Sequence, residues 1–262
     1  MNRIHRLLPR LAALGAGALL CAGAALAAEV HVMTSGAFTG PLKQLVPEFE
    51  RLTGHKVVAA FGASMGGSAD SIPARLDRGE SADLVILAGP ALDGLIGKGK
   101  VVPGSRVDLV RSSIGMVVRQ GAPRPDIGTV EALKRTLLAA KSIAYSASAS
   151  GTYLSAELFP ELGVSEEVKG KSQRIVSERV GTVVARGDAE IGFQQVSELI
   201  SIPGVDYVGP LPPGAQRVTY FSAGLGANAK EPEAARELVR FFTSAAAAPV
   251  IVKNGLEPVP PR

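Results

Sequence analysis

Short apolar runs rich in β-branched residues alternate along the chain with segments in which apolar residues recur every three or four positions. The first pattern predicts buried strands and the second predicts amphipathic helices. Their β-loop-α order predicts an α/β protein with largely parallel sheets, and the length suits two lobes. Strand patterns occupy residues 30–33, 56–61, 83–88, 114–118, 141–145, 189–194 and 217–223, and helical spacing occupies residues 41–52, 72–76, 130–140, 152–159, 178–186 and 232–244.

The first residues of the chain have the composition of a secretory signal peptide. An apolar run rich in Ala, Leu and Gly follows three arginines, and Ala25-Leu26-Ala27 then supplies a small-x-small cleavage pattern. A membrane anchor is the competing interpretation, because the apolar run approaches the length of a bilayer span. The cleavage pattern favours a signal peptide over residues 1–27 and therefore a secreted, periplasmic protein.

Removal of this segment changes the charge and the cysteine content. The formal net charge is +4, and Arg3, Arg6 and Arg10 contribute three of those charges, so the mature chain is close to neutral. Because basic runs with interleaved aromatic residues are also missing from the sequence, we expect no nucleic-acid partner. Cys21 is the only cysteine and would leave with the signal peptide, which excludes disulfides, thiolate metal sites and a cysteine nucleophile.

Residues 62–66 read Gly-Ala-Ser-Met-Gly and match the G-x-S-x-G pattern of serine hydrolases, with Ser64 as the nucleophile. In α/β-hydrolases the acid and the histidine follow that serine in the chain. The histidines of the mature sequence, His31 and His55, both precede it. Metal-binding and phosphate-loop motifs are missing from the sequence as well. We therefore predict no catalytic residue, no metal site, no cofactor and no enzymatic activity; a secreted serine hydrolase that uses Ser64 is the alternative from another class.

Three loops of hydroxyl-bearing and small residues each follow a strand and precede a helix. They are Thr34-Ser35-Gly36-Ala37, residues 62–68 and residues 146–152. Any one of them could be an ordinary helix cap or tight turn. Together, at the strand ends where α/β sheets bind ligands, they favour an anion site built from hydroxyls, backbone N–H groups and helix N-termini.

The order of these motifs resembles that of the periplasmic molybdate-binding proteins and related receptors of ABC importers. The resemblance covers the mature chain and rests on residues 49–54, 61–64, 78–89, 148–163, 184–199 and 253–258. It implies a two-lobed periplasmic-binding-protein fold (type II, Venus-flytrap), with a ligand cleft between the lobes. The crossovers would fall near residues 111–118 and 217–223, so that lobe 1 comprises residues 28–112 and 219–262 and lobe 2 comprises residues 113–218.

The ligand contacts of this family carry over only in part. The resemblance implies that Ser64 is the second-loop serine contact and that backbone contacts fall near Ser150 and Val180. The position of the first-loop serine falls at Ala37, although Thr34 or Ser35 could substitute for it, and the usual tyrosine is replaced by Gln-Gln at residues 194–195. Because a buried anion is selected by a full set of donors, these changes favour a different anion, such as a bulkier organic carboxylate.

We therefore predict a monomeric periplasmic solute-binding protein that captures a small anion and delivers it to an inner-membrane ABC permease. A true molybdate or tungstate receptor with altered contacts is the alternative within this class. Arg179 joins the site in this interpretation, although it could equally be a solvated helix residue. The predicted ligand-binding residues are Thr34, Ser35, Gly36, Ala37, Ala63, Ser64, Met65, Ser148, Ser150, Gly151, Thr152, Arg179, Val180, Gln194 and Gln195.

Overall fold

The computed structural model describes residues 27–65 and 67–260 of the 262-residue chain. The predicted signal peptide, residues 1–27 with Cys21, therefore lies outside the described residues except for its last position. Within the described ranges, no helix has the length and apolar character needed to cross a membrane.

The strands form two separate sheets. The first has the order β11-β4-β10-β3-β1-β2 and the second has the order β7-β6-β8-β5-β9. The strands of the described residues are β1 Glu29–Ser35, β2 Lys56–Gly62, β3 Leu84–Ala88, β4 Val107–Ser112, β5 Ile114–Arg119, β6 Ile143–Ser146, β7 Ser172–Ile175, β8 Ile191–Gln195, β9 Val205–Pro210, β10 Thr219–Leu225 and β11 Glu257–Pro258.

Helices pack on these sheets and in several cases follow a strand directly. A 3₁₀ turn at Gly36–Phe38 joins β1 to the first helix, and a π turn at Leu154–Leu158 joins two short helices. The helices of the described residues are α1 Thr39–Thr53, α2 Ile72–Asp77, α3 Gly89–Gly97, α4 Val130–Ala139, α5 Ala149–Tyr153, α6 Phe159–Glu161, α7 Ser165–Lys169, α8 Val180–Arg186, α9 Val196–Leu199, α10 Pro232–Phe242 and α11 Ala248–Lys253.

Both faces of the central strands are buried, which explains why these strands read as continuous apolar runs. In β3, Leu84 and Ile86 pack into one hydrophobic cluster, whereas Val85 and Leu87 pack into another on the opposite face. In β5, Met116 and its alternate neighbours contribute to one cluster while Val117 contributes to a second. A sheet covered by helices on two sides requires apolar residues at every strand position.

The chain passes twice between the sheets. It leaves β4 at Ser112 and enters β5 at Ile114, and it returns between β9 and β10. The predicted lobes, residues 28–112 with 219–262 and residues 113–218, stay a proposal that this strand order supports.

The prediction of largely parallel sheets is wrong. Strand β1 runs parallel to β2 and β3, but β10 is antiparallel to both β3 and β4. Likewise β6 runs parallel to β7 and β8, whereas β5 is antiparallel to β8 and β9. The reason is that β5 and β10 enter their sheets from the other lobe, and so they run against the strands of the local β-loop-α units.

The carboxyl ends of the parallel strands are aligned at one edge of each sheet. Ser35 at the end of β1 is in register with Gly62 at the end of β2. In the second sheet β6 ends at Ser146 and β8 ends at Gln195. The loops that leave these ends meet in the cleft, which brings residues distant in sequence into one cavity.

Candidate functional site

A cavity of about 330 Å³ lies between the two sheets, at the carboxyl ends of their parallel strands. Its polar lining comes from both sides of the cleft. The first side contributes Ser35, Thr39, Lys43, Ser64 and Asp70, and the second side contributes Ser146, Ser148, Ser150, Ser177, Glu178, Arg179, Gln194, Gln195 and Glu198.

The loop after β1 contributes two of its four predicted residues. Ser35 and Gly36 line the cavity, and the buried Ser35 hydroxyl has no hydrogen-bond partner within the described chain. Thr34 is fully buried beside it and donates to the Ser35 carbonyl at 3.3 Å. Ala37 turns into the hydrophobic core beneath the 3₁₀ turn. Thr34 and Ala37 are therefore corrected from ligand-binding residues to packing residues.

The loop after β2 places Ser64 in the cavity wall, where its hydroxyl oxygen accepts a hydrogen bond from the backbone. Its Oγ accepts a hydrogen bond from the Ala88 N–H at 3.0 Å, which leaves the hydroxyl proton to donate to a ligand. Ala63 lines the same cavity. Met65 does not: its side chain lines a second cavity of about 330 Å³, where its sulfur accepts from Thr152 at 3.9 Å.

The loop after β6 provides three serines, Ser146, Ser148 and Ser150, to the cavity lining. Gly151 is buried and lies outside the lining, and a Cβ there would be only 1.6 Å from the Ser146 carbonyl oxygen. Thr152 faces the second cavity with Met65. Gly151 shapes the loop and Thr152 faces away, so both are corrected as ligand contacts.

At the start of α8, the side chain of Arg179 lines the cavity and its Nη1 donates to the Glu198 carbonyl at 3.3 Å. The backbone N–H of Val180, a predicted ligand donor, already donates to Gln194 Oε1 at 2.9 Å. Since a backbone N–H has one proton to give, Val180 is corrected as a contact for the ligand. Gln194 and Gln195, the last two residues of β8, line the cavity on the side opposite Ser64.

Sequence reasoning missed Glu198, an acidic residue whose pKa is strongly shifted by its surroundings in the cavity. Its carboxyl accepts a hydrogen bond from Gln194 Nε2. Burial raises the pKa of Glu198 from its usual 4.5 to about 7, although Arg179 and the Gln194 hydrogen bond act in the opposite direction. At neutral pH this carboxyl can therefore both accept and donate a proton.

Glu198 also bridges the cleft, because it reaches the loop that follows β1. A Cβ built on Gly36 would lie 2.6 Å from Glu198 Oε1, so that only glycine leaves room for this carboxyl. No periodic signal marks Glu198 in the sequence, because it lies in a four-residue helix that starts directly after β8.

Two cations lie on opposite walls of the cavity. Lys43, on α1, holds its Nζ 5.1 Å from the centre of the Phe61 ring, which also lines the cavity. Arg179 belongs to the opposite wall. The other acidic residues differ from Glu198, because Glu178 binds Arg186 through both carboxylate oxygens and Asp70 is exposed. The cavity thus combines hydroxyl donors and cations with one acid–base carboxyl.

The arrangement does not support a hydrolase that uses Ser64. His31 pairs with Val58, four residues before the strand ends, which is roughly 13 Å along a strand that rises about 3.3 Å per residue. His31 contacts Glu29, and His55 accepts from the Ala28 N–H. Among residues 27–65 and 67–260, no group of three or more His, Cys, Asp or Glu side chains is placed to hold a metal ion.

Comparison with known proteins identifies the family and corrects one prediction. Residues 30–257 match the family described as bacterial extracellular solute-binding protein. An aconitate isomerase from Pseudomonas sp is 46% identical over 257 residues, which cover 96% of this chain and 98% of that protein. The molybdate-binding protein ModA of Azotobacter vinelandii is 31% identical over 189 residues, or 71% of each chain.

The solved periplasmic molybdate-binding protein of Azotobacter vinelandii has the same fold, with a TM-score of 0.69 and 21% identity over 89% of this chain and all of that one. The predicted resemblance and the two-lobed fold are thereby confirmed. The prediction that the protein is not an enzyme is wrong, because a relative that matches nearly the whole chain is named as an isomerase. The chain belongs to the family of bacterial extracellular solute-binding proteins.

Proposed function

We propose that this protein is an isomerase that interconverts the geometric isomers of aconitate within the cleft. The observation that carries the proposal is Glu198, a carboxyl with a pKa of about 7 in a cavity lined by anion-binding groups. The similarity to an aconitate isomerase over nearly the whole chain supports the choice of substrate.

The reaction can be written as a proton shift that balances without a redox partner. Aconitate is a propene that carries three carboxylates, with one methylene carbon and one vinylic carbon on either side of its central carbon. A base removes a proton from the methylene carbon, and the electron pair spreads over the three-carbon unit and its carboxylates. The proton then returns to the former vinylic carbon. The double bond has moved by one position, and the product is aconitate with a newly set double-bond geometry.

Glu198 suits both proton transfers. As a carboxylate it removes the methylene proton, and as a carboxylic acid it returns a proton to the other carbon. A general base is most effective when its pKa lies near the working pH, and an ordinary glutamate is too weak a base at neutral pH. The pKa of about 7 places Glu198 in the useful range.

The remaining groups of the cavity suit a substrate with several negative charges. Negative charge grows on the substrate carboxylates as the methylene proton leaves, so fixed donors and cations stabilise the transition state. Lys43 and Arg179 approach from opposite walls, and the Ser35 and Ser64 hydroxyls have protons to donate. We infer that these four groups hold the substrate carboxylates while Glu198 acts on carbon.

Extracellular location fits the family, and export through the predicted signal peptide belongs to this proposal. The ABC permease partner, the monomeric state and the absence of a nucleic-acid partner stay predictions from the sequence. A molybdate or tungstate receptor is less well supported, because the Val180 N–H that the resemblance assigns to the ligand already donates to Gln194 Oε1.

The test is turnover of aconitate by the purified protein and by a Glu198→Gln variant, followed by proton NMR from each isomer. We expect interconversion by the wild-type protein and a loss of about 10³-fold or more in kcat for the variant, since general acid–base catalysis contributes 10²–10⁴-fold. Glu166→Gln, an exposed glutamate on α7, is the matched control and should retain activity. A fully active Glu198→Gln protein, or tight molybdate binding with no turnover, would contradict the proposal.

A further inference from the structure

Gln194 occupies a central place between Glu198 and the start of α8. Its side chain is 5% exposed and lies near the end of β8. The amide oxygen accepts the Val180 N–H at 2.9 Å, and the amide nitrogen donates to Glu198 Oε2. One side chain therefore joins a rigid backbone donor to the acid–base carboxyl.

The backbone donor determines which way the Gln194 amide points. A backbone N–H can only donate, so Gln194 must present its oxygen to Val180 and its NH₂ group to Glu198. The opposite orientation would place two donors together at Val180 and two acceptors together at Glu198. This polarity favours a carboxylate that accepts at Oε2, and a Cβ built on Gly36 of the other lobe would lie 2.6 Å from Oε1 and 2.9 Å from Oε2.

Resting on the proposed function, we propose that Gln194 is the positioning residue for proton transfer: it holds Glu198 Oε2 and leaves Oε1 to exchange the proton with the substrate. Few charged side chains lie near Glu198, so the effect of Gln194 on its titration can be measured. Arg179 is the charged neighbour at the start of α8, and the turn Gly36–Phe38 brings no ionisable side chain. Lys43, Asp70 and Glu178 line the same cavity.

Substitution of Gln194 has different consequences if Gln194 acts as a hydrogen-bonding partner of Glu198 than if it acts only in packing. Loss of the Gln194 amide removes a donor that favours the charged carboxylate, so the pKa of Glu198 should rise. The gain in mobility of the carboxyl should lower kcat more than it raises KM, because the substrate carboxylates are held by other groups. A defect of packing alone would change stability without moving the titration of Glu198.

The experiment follows the Glu198 carboxyl by carbon NMR in the full-length protein, with the signal assigned by its loss in Glu198→Gln. In Gln194→Leu we expect the titration midpoint to move upward by about one pH unit, as a hydrogen bond to a charged group is worth roughly that much. The acid limb of kcat/KM for aconitate should move with it. Gln173→Leu is the matched control: Gln173 is exposed on β7 and donates to the Asp188 carbonyl, so the titration of Glu198 should not move.

Gln194→Glu gives a second variant of similar volume that keeps an acceptor for Val180. A second carboxylate beside Glu198 should raise the titration midpoint further than Gln194→Leu does. An unmoved midpoint in both variants would overturn the positioning role even if the wild-type protein turns over aconitate. Absence of aconitate turnover in the wild-type protein would instead overturn the proposed function, while the NMR midpoints still report on Gln194.

Discussion

The neighbouring groups of Glu198 favour proton transfer by its carboxyl, whereas those of Ser64 do not activate its hydroxyl as a nucleophile. Ser64 carries the recognisable motif, yet its oxygen accepts from a backbone N–H, and His31 and His55 bind other groups. Glu198 belongs to no motif, yet burial brings its pKa to about 7. The proposed catalytic role of Glu198 therefore rests on the surroundings that the fold assembles, and only secondarily on residue type.

Burial of Glu198 has a cost in stability that can be measured. The folded state holds the Glu198 proton up to about pH 7, whereas the unfolded chain releases it near pH 4.5. Between these values the folded state binds more protons, so the free energy of unfolding falls as pH rises through this window.

The prediction is that Glu198→Gln stabilises the protein at pH 8, by on the order of 3 kcal/mol at most, and has little effect near pH 4. Urea unfolding of both proteins at the two pH values measures this, with Glu166→Gln as the control. A variant that is less stable than wild type at pH 8 would show that the ionised carboxyl is well compensated, contrary to a raised pKa.

At the level of elements, the site depends on a very short helix and a tight turn from different lobes. Helix α9 has four residues and starts directly after β8, which aims Glu198 back over the strand end toward Gly36. This proximity requires that the turn after β1 lack a side chain at residue 36.

We expect Gly36→Ala to displace the Glu198 carboxyl and to lower kcat by at least about tenfold, equivalent to roughly 1.4 kcal/mol of transition-state stabilisation. The fold should survive, because the clashing atoms belong to the end of a flexible side chain and the backbone at residue 36 suits alanine. Gly94→Ala, in helix α3 with no atom within 4 Å of the added Cβ, is the control and should keep full activity. If the two variants had equal activity, the prediction that Gly36 leaves necessary room for the Glu198 carboxyl would be wrong.

The elements predicted from sequence are those with a strong apolar period. The helix predicted over residues 41–52 is α1, whose buried face includes Leu42, Leu45 and Phe49. The edge strands β7 and β9 were missed because they are only partly buried and carry polar residues, glycine or proline. Helix α9 is too short to show any period, and Glu198 was missed with it.

Across the whole molecule, a receptor fold brings together the groups that the proposed isomerase reaction requires. One lobe contributes Ser35, Lys43 and Ser64 to the cavity, and the other contributes Arg179 and Glu198. The order of the loops revealed this cleft from sequence, since strand ends and small polar loops recur along the chain. The pairing of Gln194 with Val180 was not predictable, because it depends on how β8 and α8 pack after folding. Closure of two such lobes can exclude water and complete the catalytic set in one motion.

The most direct measurement is the pH dependence of kcat/KM for interconversion of the aconitate isomers by the purified protein. A base with a pKa of about 7 predicts a rate that rises with pH through an acid limb near that value and levels above it. The limb should vanish in Glu198→Gln along with most of the activity. Turnover that persists undiminished to pH 5, or a limb unchanged in the variant, would contradict the assignment of proton transfer to Glu198.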